Sequence, residues 1–136
     1  MSRDQVLIAL RSQIHYEAIQ TNPNQLFQDK TLRPILKFQH TLIIAIYHDY
    51  LKTHKIAYTH VTAAQRNLKI ENSIKQNQAL QALFKGVIIA LFTTDETAFW
   101  ATNKEEINKR IQQLIIKRIQ SSFETVKDIN IEETNV

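Results

Sequence analysis

A single glycine, Gly86, and two prolines, Pro23 and Pro34, are all that this 136-residue chain contains of the two residues that most strongly interrupt regular backbone. Turn-rich β-sandwiches, Gly-rich phosphate loops and the dinucleotide fingerprint all require more glycine than this. The chain has no cysteine, which excludes disulfides, thiolate metal sites and cysteine nucleophiles. An apolar share of 43% is ordinary for a globular protein, and the length suits one domain. The expected fold is therefore all-α: an antiparallel helical bundle of four to six helices in one compact domain over 1–127. An acidic, flexible tail is expected over 128–136.

Periodicity and capping residues place the helices. Ser2 with Gln5 forms a capping box, and Val6, Leu7, Leu10, Ile14 and Ala18 share a face, so a first helix is expected from Ser2 to about Gln20. Asn22-Pro23 is read as its stop, because a residue before proline avoids the helical region. A second helix is expected from about Leu32 to His54, capped by Thr31, with Pro34 in its first turn. Its stripe of Leu32, Ile35, Leu36, Leu42, Ile43 and Ile46 is widened by Phe38, Ile44 and Tyr47, which suggests a central or shared helix. From Thr62 to Phe92 either one long helix or a break near Glu71-Asn72-Ser73 fits, and the break is favoured. Gly86 inside this region suggests close approach of another helix. Thr93 with Glu96, and Asn103 with Glu106, read as two further capping boxes. The second opens a helix expected to end near Phe123 or Val126, with Lys117 and Arg118 near its negative end.

The longest apolar runs, Leu42–Tyr47 and Gly86–Phe92, fall far short of the roughly 18–20 residues that span a bilayer. The stretch from Val6 to Leu10, broken by Arg11, lacks the pattern of a signal peptide. These readings lead to the expectation of a cytoplasmic protein with no membrane partner. Charge is uneven. Residues 1–29 carry a net −1, residues 30–92 a net +7 and residues 93–136 a net −2. A basic middle beside an acidic end implies an acidic partner or neutralisation within the fold.

Sites of chemistry are sparse. The five histidines, His15, His40, His48, His54 and His60, show neither His-x-x-x-His nor Glu-x-x-His spacing. Only tertiary contact could join His15, Glu17 and His40. No serine lies in a Gly-flanked elbow. No metal or cofactor is expected, and an enzyme is the less favoured reading. The segment Thr62–Ile70 followed by Ser73–Gln78 loosely resembles a helix-turn-helix, with Arg66, Lys69 and Lys75 as candidate contacts to nucleic acid or an acidic partner. Its Ala64–Leu68 spacing is one residue off the usual register, and no glycine marks a turn. Tyr47, His48, Phe99 and Trp100 are candidates for an interface or pocket, with Tyr50 and His40 as possible neighbours. The surplus of apolar residues on the middle helices, together with Ile116, suggests a homodimer. The function expected first is that of a small helical interaction or adaptor protein. A basic nucleic-acid binder is second, and a ligand-binding or enzymatic bundle third.

Overall fold

The computed structural model describes residues 1–11 and 22–134, with side chains as far as Glu124. The described residues form helices and no strand. The expected capping box opens α1 (Arg3–Ala9): the Ser2 backbone N–H donates to Gln5 Oε1 at 2.8 Å, and Ser2 Oγ accepts from the Gln5 N–H. The helix ends at Leu10 instead of continuing towards Gln20. Its arginines reach the end of another helix. Arg3 donates to the carbonyls of Ala90 and Phe92, and Arg11 donates to that of Leu91. These carbonyls lie at and just past the C-terminal end of α6, where no intrahelical donor remains. Ile14 and Ala18 lie outside the described residues, as do His15 and Glu17.

Asn22 is extended before Pro23, as expected, but it starts a helix where a stop was expected. Its side chain accepts from the Asn24 and Gln25 N–H groups, and Pro23 occupies the first turn of α2 (Pro23–Phe27). The helical path then continues through a π turn at Gln28–Leu32, α3 (Arg33–Phe38) and α4 (His40–Thr53). The π turn places the Arg33 N–H on the Gln28 carbonyl, five residues back. It lies immediately before Pro34, whose ring crowds the preceding turn and which has no N–H to donate. Thr31 is consequently no cap; it is buried inside the π turn. A second irregularity at Gln39 (φ −90°, ψ 4°) divides α3 from α4. Each interruption shifts the helical phase. The buried face of α4 is Ile43, Tyr47 and Leu51, while Leu42, expected in the stripe, is 46% exposed and Phe38 is 44% exposed.

The 62–92 region is two helices, α5 (Ala63–Gln76) and α6 (Gln78–Ile89). They divide at Asn77, not at Glu71-Asn72-Ser73. Asn77 adopts an extended conformation and its side chain accepts from the Leu80 N–H. Ser73 instead donates to the Ile70 carbonyl at 2.8 Å. Gly86 has nothing within 4 Å of the position a Cβ would take, so the expected close approach of another helix does not occur there. The Thr93–Glu96 box opens α7 (Thr94–Thr102) as expected. The last helix, α8 (Lys104–Thr134), runs past the expected end at Phe123 or Val126 and into the segment expected as a tail. Lys117 and Arg118 therefore lie in its interior, away from the terminal dipole.

Helix α8 is the central element. It packs against the π turn, α4, α5, α6 and α7. Ile107, Ile111, Ile115, Ile116 and Ile119 are buried along it, against Leu32, Ile43, Tyr47, Ile70, Phe84 and Ile88, among others. Ile116, invoked above for self-association, is thus part of the chain's own core. Helix α5 runs antiparallel to α8: Asn67 meets Gln120, whereas Ile74 shares a small cavity with Ile111 and Ile115. Helices α3 and α4 run alongside α8 in the same direction. Gln28 meets Arg110, His40 meets Arg118, and Tyr47 and His48 meet Phe123. Among the described residues, no helix is long and apolar enough to cross a membrane.

Candidate functional site

The parallel packing of α3 and α4 on α8 leaves a groove of about 650 Å³, within the usual range of small-molecule sites. From α8 come Leu114, Lys117, Arg118, Ser121 and Ser122. Their spacing of three, four, seven and eight residues from Leu114 puts all five on one helical face. The facing wall carries Arg33, Leu36, His40, Thr41 and Ile44. The aliphatic side chains Leu36, Ile44 and Leu114 supply its apolar surface, and three cationic side chains share it with them. Among the described residues, no carboxylate, carboxamide, phenylalanine, tyrosine or tryptophan lines it.

The charges are only partly neutralised. Arg33 Nε donates to Asp29 Oδ1 at 3.0 Å, one helical turn earlier and outside the groove lining. Among the described residues, no carboxylate comes within ion-pair distance of Lys117 or Arg118. The Arg118 polar contact is to a ring nitrogen: Nη1 lies 3.1 Å from His40 Nδ1. A guanidinium can only donate, so Nδ1 accepts and the neutral imidazole carries its proton on Nε2. Burial, and then the positive charge of Arg118, hold the His40 pKa below its ordinary value. Burial, and then the charge of Arg33, also lower the pKa of Arg118. Ser122 Oγ donates to the Ile119 carbonyl at 2.6 Å, so its proton is already committed. The groove is thus rich in donors and positive charge, and among the described residues no acid in its lining balances it.

The residues singled out from sequence fall elsewhere. Arg66 is only 5% exposed, with its guanidinium carbon 5.7 Å from the centre of the Phe123 ring. It cannot share an outward basic face with Lys69. Lys75 pairs with Glu71 at 2.6 Å. A single residue, Asn77, separates α5 from α6, where a helix-turn-helix needs a turn of three or four. Tyr47 is fully buried in a chain of hydroxyls, 2.8 Å from Tyr58 Oη and 2.9 Å from Ser73 Oγ. Because Ser73 gives its proton to Ile70, Tyr47 donates to Ser73 and Tyr58 donates to Tyr47. Burial is the main cause that raises the pKa of both phenols. His48 is exposed, with its ring 5.4 Å from that of Phe123.

Phe99 and Trp100 lie at another level of the bundle and do not form one pocket with Tyr47 and His48. Phe99 stacks on Phe27 at 4.9 Å. The Trp100 indole donates to Asn108 Oδ1 at 2.9 Å, and Lys104 sits over its ring. Asn108 and Phe123 are fifteen positions apart on α8, or about 22 Å along its axis. Both aromatic side chains of α7 are half-buried, so the helix wedges both without exposing either fully.

The sequence reading missed the groove, apart from naming His40 as a polar neighbour. One signal was available. Lys117, Arg118, Ser121 and Ser122 form a polar stripe beside the isoleucine face of Ile107, Ile111, Ile115 and Ile119. Among the described residues, no three His, Asp or Glu side chains converge to hold a metal ion. Comparison with protein-family models, with curated proteins and with solved structures returns no match for this chain.

Proposed function

We propose that this chain is a binding protein whose ligand is a small anion, held in the groove between α3–α4 and α8. The observation that carries this reading is Arg118. It is an arginine within a groove, beside Arg33 and Lys117, with a histidine nitrogen where a carboxylate would ordinarily sit. A guanidinium in that setting is prepared for phosphate, sulfate or carboxylate oxygens. Among the described residues, no carboxylate in the lining competes for it.

Calorimetric titration with inorganic pyrophosphate, repeated on Arg118→Gln, tests the reading. A charge-assisted hydrogen bond contributes about 1.5–3 kcal/mol, so the variant is expected to bind at least about tenfold more weakly. Lys69→Gln, on the exposed face of α5, is expected to bind like the parent. Equal affinity for the parent and Arg118→Gln, or no binding at millimolar pyrophosphate, overturns the proposal.

A second reading, self-association as a homodimer, is supported by Phe38 and Leu42. They are both exposed and lie four residues apart. Sedimentation of the parent and of Leu42→Glu tests it: a concentration-dependent dimer that the variant loses is the expected result.

A further inference from the structure

We infer that the ligand of this groove is an amphiphilic anion, a phosphate-type head carrying a short unbranched aliphatic chain. The inference rests on the anion-binding reading above and adds what the rest of the ligand is. A nucleotide needs an aromatic face for its base and acceptors for the base N–H groups. A sugar phosphate presents several hydroxyls, and among the described residues the side-chain oxygens it would meet are hydroxyls alone, on Thr41, Ser121 and Ser122. Among the described residues the lining has no carboxylate or carboxamide and no aromatic ring other than imidazole. Its cationic groups are donors only and the imidazole Nε2–H is a further donor, while Ser122, whose proton goes to the Ile119 carbonyl, offers only an accepting oxygen. Ligand hydroxyls and amines would lose their water there without finding carboxylate or carboxamide partners. Ligand methylenes, in contrast, would cover the half-buried Ile44 and Leu114. The head belongs at Arg118, with Arg33 and Lys117 on either side, and the chain lies along that aliphatic surface.

A series of alkyl phosphates from ethyl to octyl, each kept below its micelle concentration, tests the inference by calorimetry alongside pyrophosphate and ADP. Affinity is expected to rise about fourfold per methylene until the aliphatic surface is covered. Arg118→Gln is expected to weaken every member by the same factor. Ile44→Gln, at a half-buried position, is expected to flatten the chain-length slope. A flat series with pyrophosphate binding intact, or ADP binding more tightly than octyl phosphate, overturns the aliphatic chain and leaves the anion site standing. A slope that survives Ile44→Gln places the chain outside the groove and also overturns the inference. Failure of every phosphate to bind overturns both readings.

Discussion

At Lys55 the backbone adopts φ 55°, the only positive value at a non-glycine among the described residues. The residue follows the His54 C-cap of α4 and completes a Schellman motif. The Ile56 N–H bonds the Leu51 carbonyl at 2.9 Å, and the Lys55 N–H bonds that of Lys52 at 3.2 Å. A Cβ in this conformation is strained by roughly 1–2 kcal/mol, which glycine avoids. Lys55→Gly is therefore expected to stabilise the fold by about 0.5–1 kcal/mol, after its larger unfolded-state entropy is counted. Urea denaturation would show a raised midpoint at unchanged slope. Arg66 illustrates the opposite problem for a reader of sequence. Its charge pointed to the surface, yet its methylene stem is long enough to pack, and its guanidinium lies against the Phe123 ring of α8, fifty-seven positions away in sequence.

The helix starts at Ser2, Thr62 and Thr93 were legible at the element scale, because caps are local: each accepts from a backbone N–H three positions inside its helix. Asn77 caps α6 in the same way but was not expected to, and Asn22 opens a helix where a stop was expected. Breaks were less legible. The π turn before Pro34 and the irregularity at Gln39 respond to packing that no short window contains. Gly86 marks no contact, and that makes it a test. With open space at its Cβ position, Gly86→Ala is expected to stabilise the protein by about 1 kcal/mol, the helix propensity difference alone. A loss of stability in thermal unfolding would instead reveal a neighbour at that point.

Glu96 shows how one side chain joins elements. Its oxygens accept from Arg11 at 2.5 and 2.6 Å, from the Thr31 hydroxyl at 2.9 Å and from the Thr93 N–H at 2.8 Å. Burial alone would raise its pKa. The bonds from Arg11, Thr93 and Thr31 outweigh that and hold the carboxyl below its ordinary value. Its folded-state pKa is depressed, so its contribution is complete above the unfolded value of 4.5 and disappears as pH falls through the folded one. Glu96→Gln keeps the cap but leaves the mostly buried Arg11 without a counter-charge, which is expected to destabilise the fold by about 3 kcal/mol. The parent's loss of stability below pH 4.5 should shrink in that variant when denaturation is repeated across pH.

For the whole molecule, helical class followed from the scarcity of glycine and proline. The groove did not follow, since its two walls lie roughly eighty positions apart and neither contains a motif. What joins them is the contact of His40 with Arg118, and this contact makes the site sensitive to pH. The charged groups facing His40 in the groove are Arg33, Lys117 and Arg118. The His40 pKa is depressed from 6.5, so its neutral form favours folding. That contribution is complete above pH 6.5 and is lost as pH falls through the folded value. A bound anion reverses the balance: it favours the imidazolium and raises the His40 pKa, so binding takes up a proton. Butyl sulfate, which does not titrate in this range, is therefore expected to bind more tightly at pH 5.5 than at pH 7.5, while the unliganded protein becomes less stable. Calorimetry in two buffers of different ionisation enthalpy would count the proton. His40→Gln, whose carbonyl can still accept from Arg118, should abolish both the uptake and the pH dependence; an unchanged profile would assign the titration to another group.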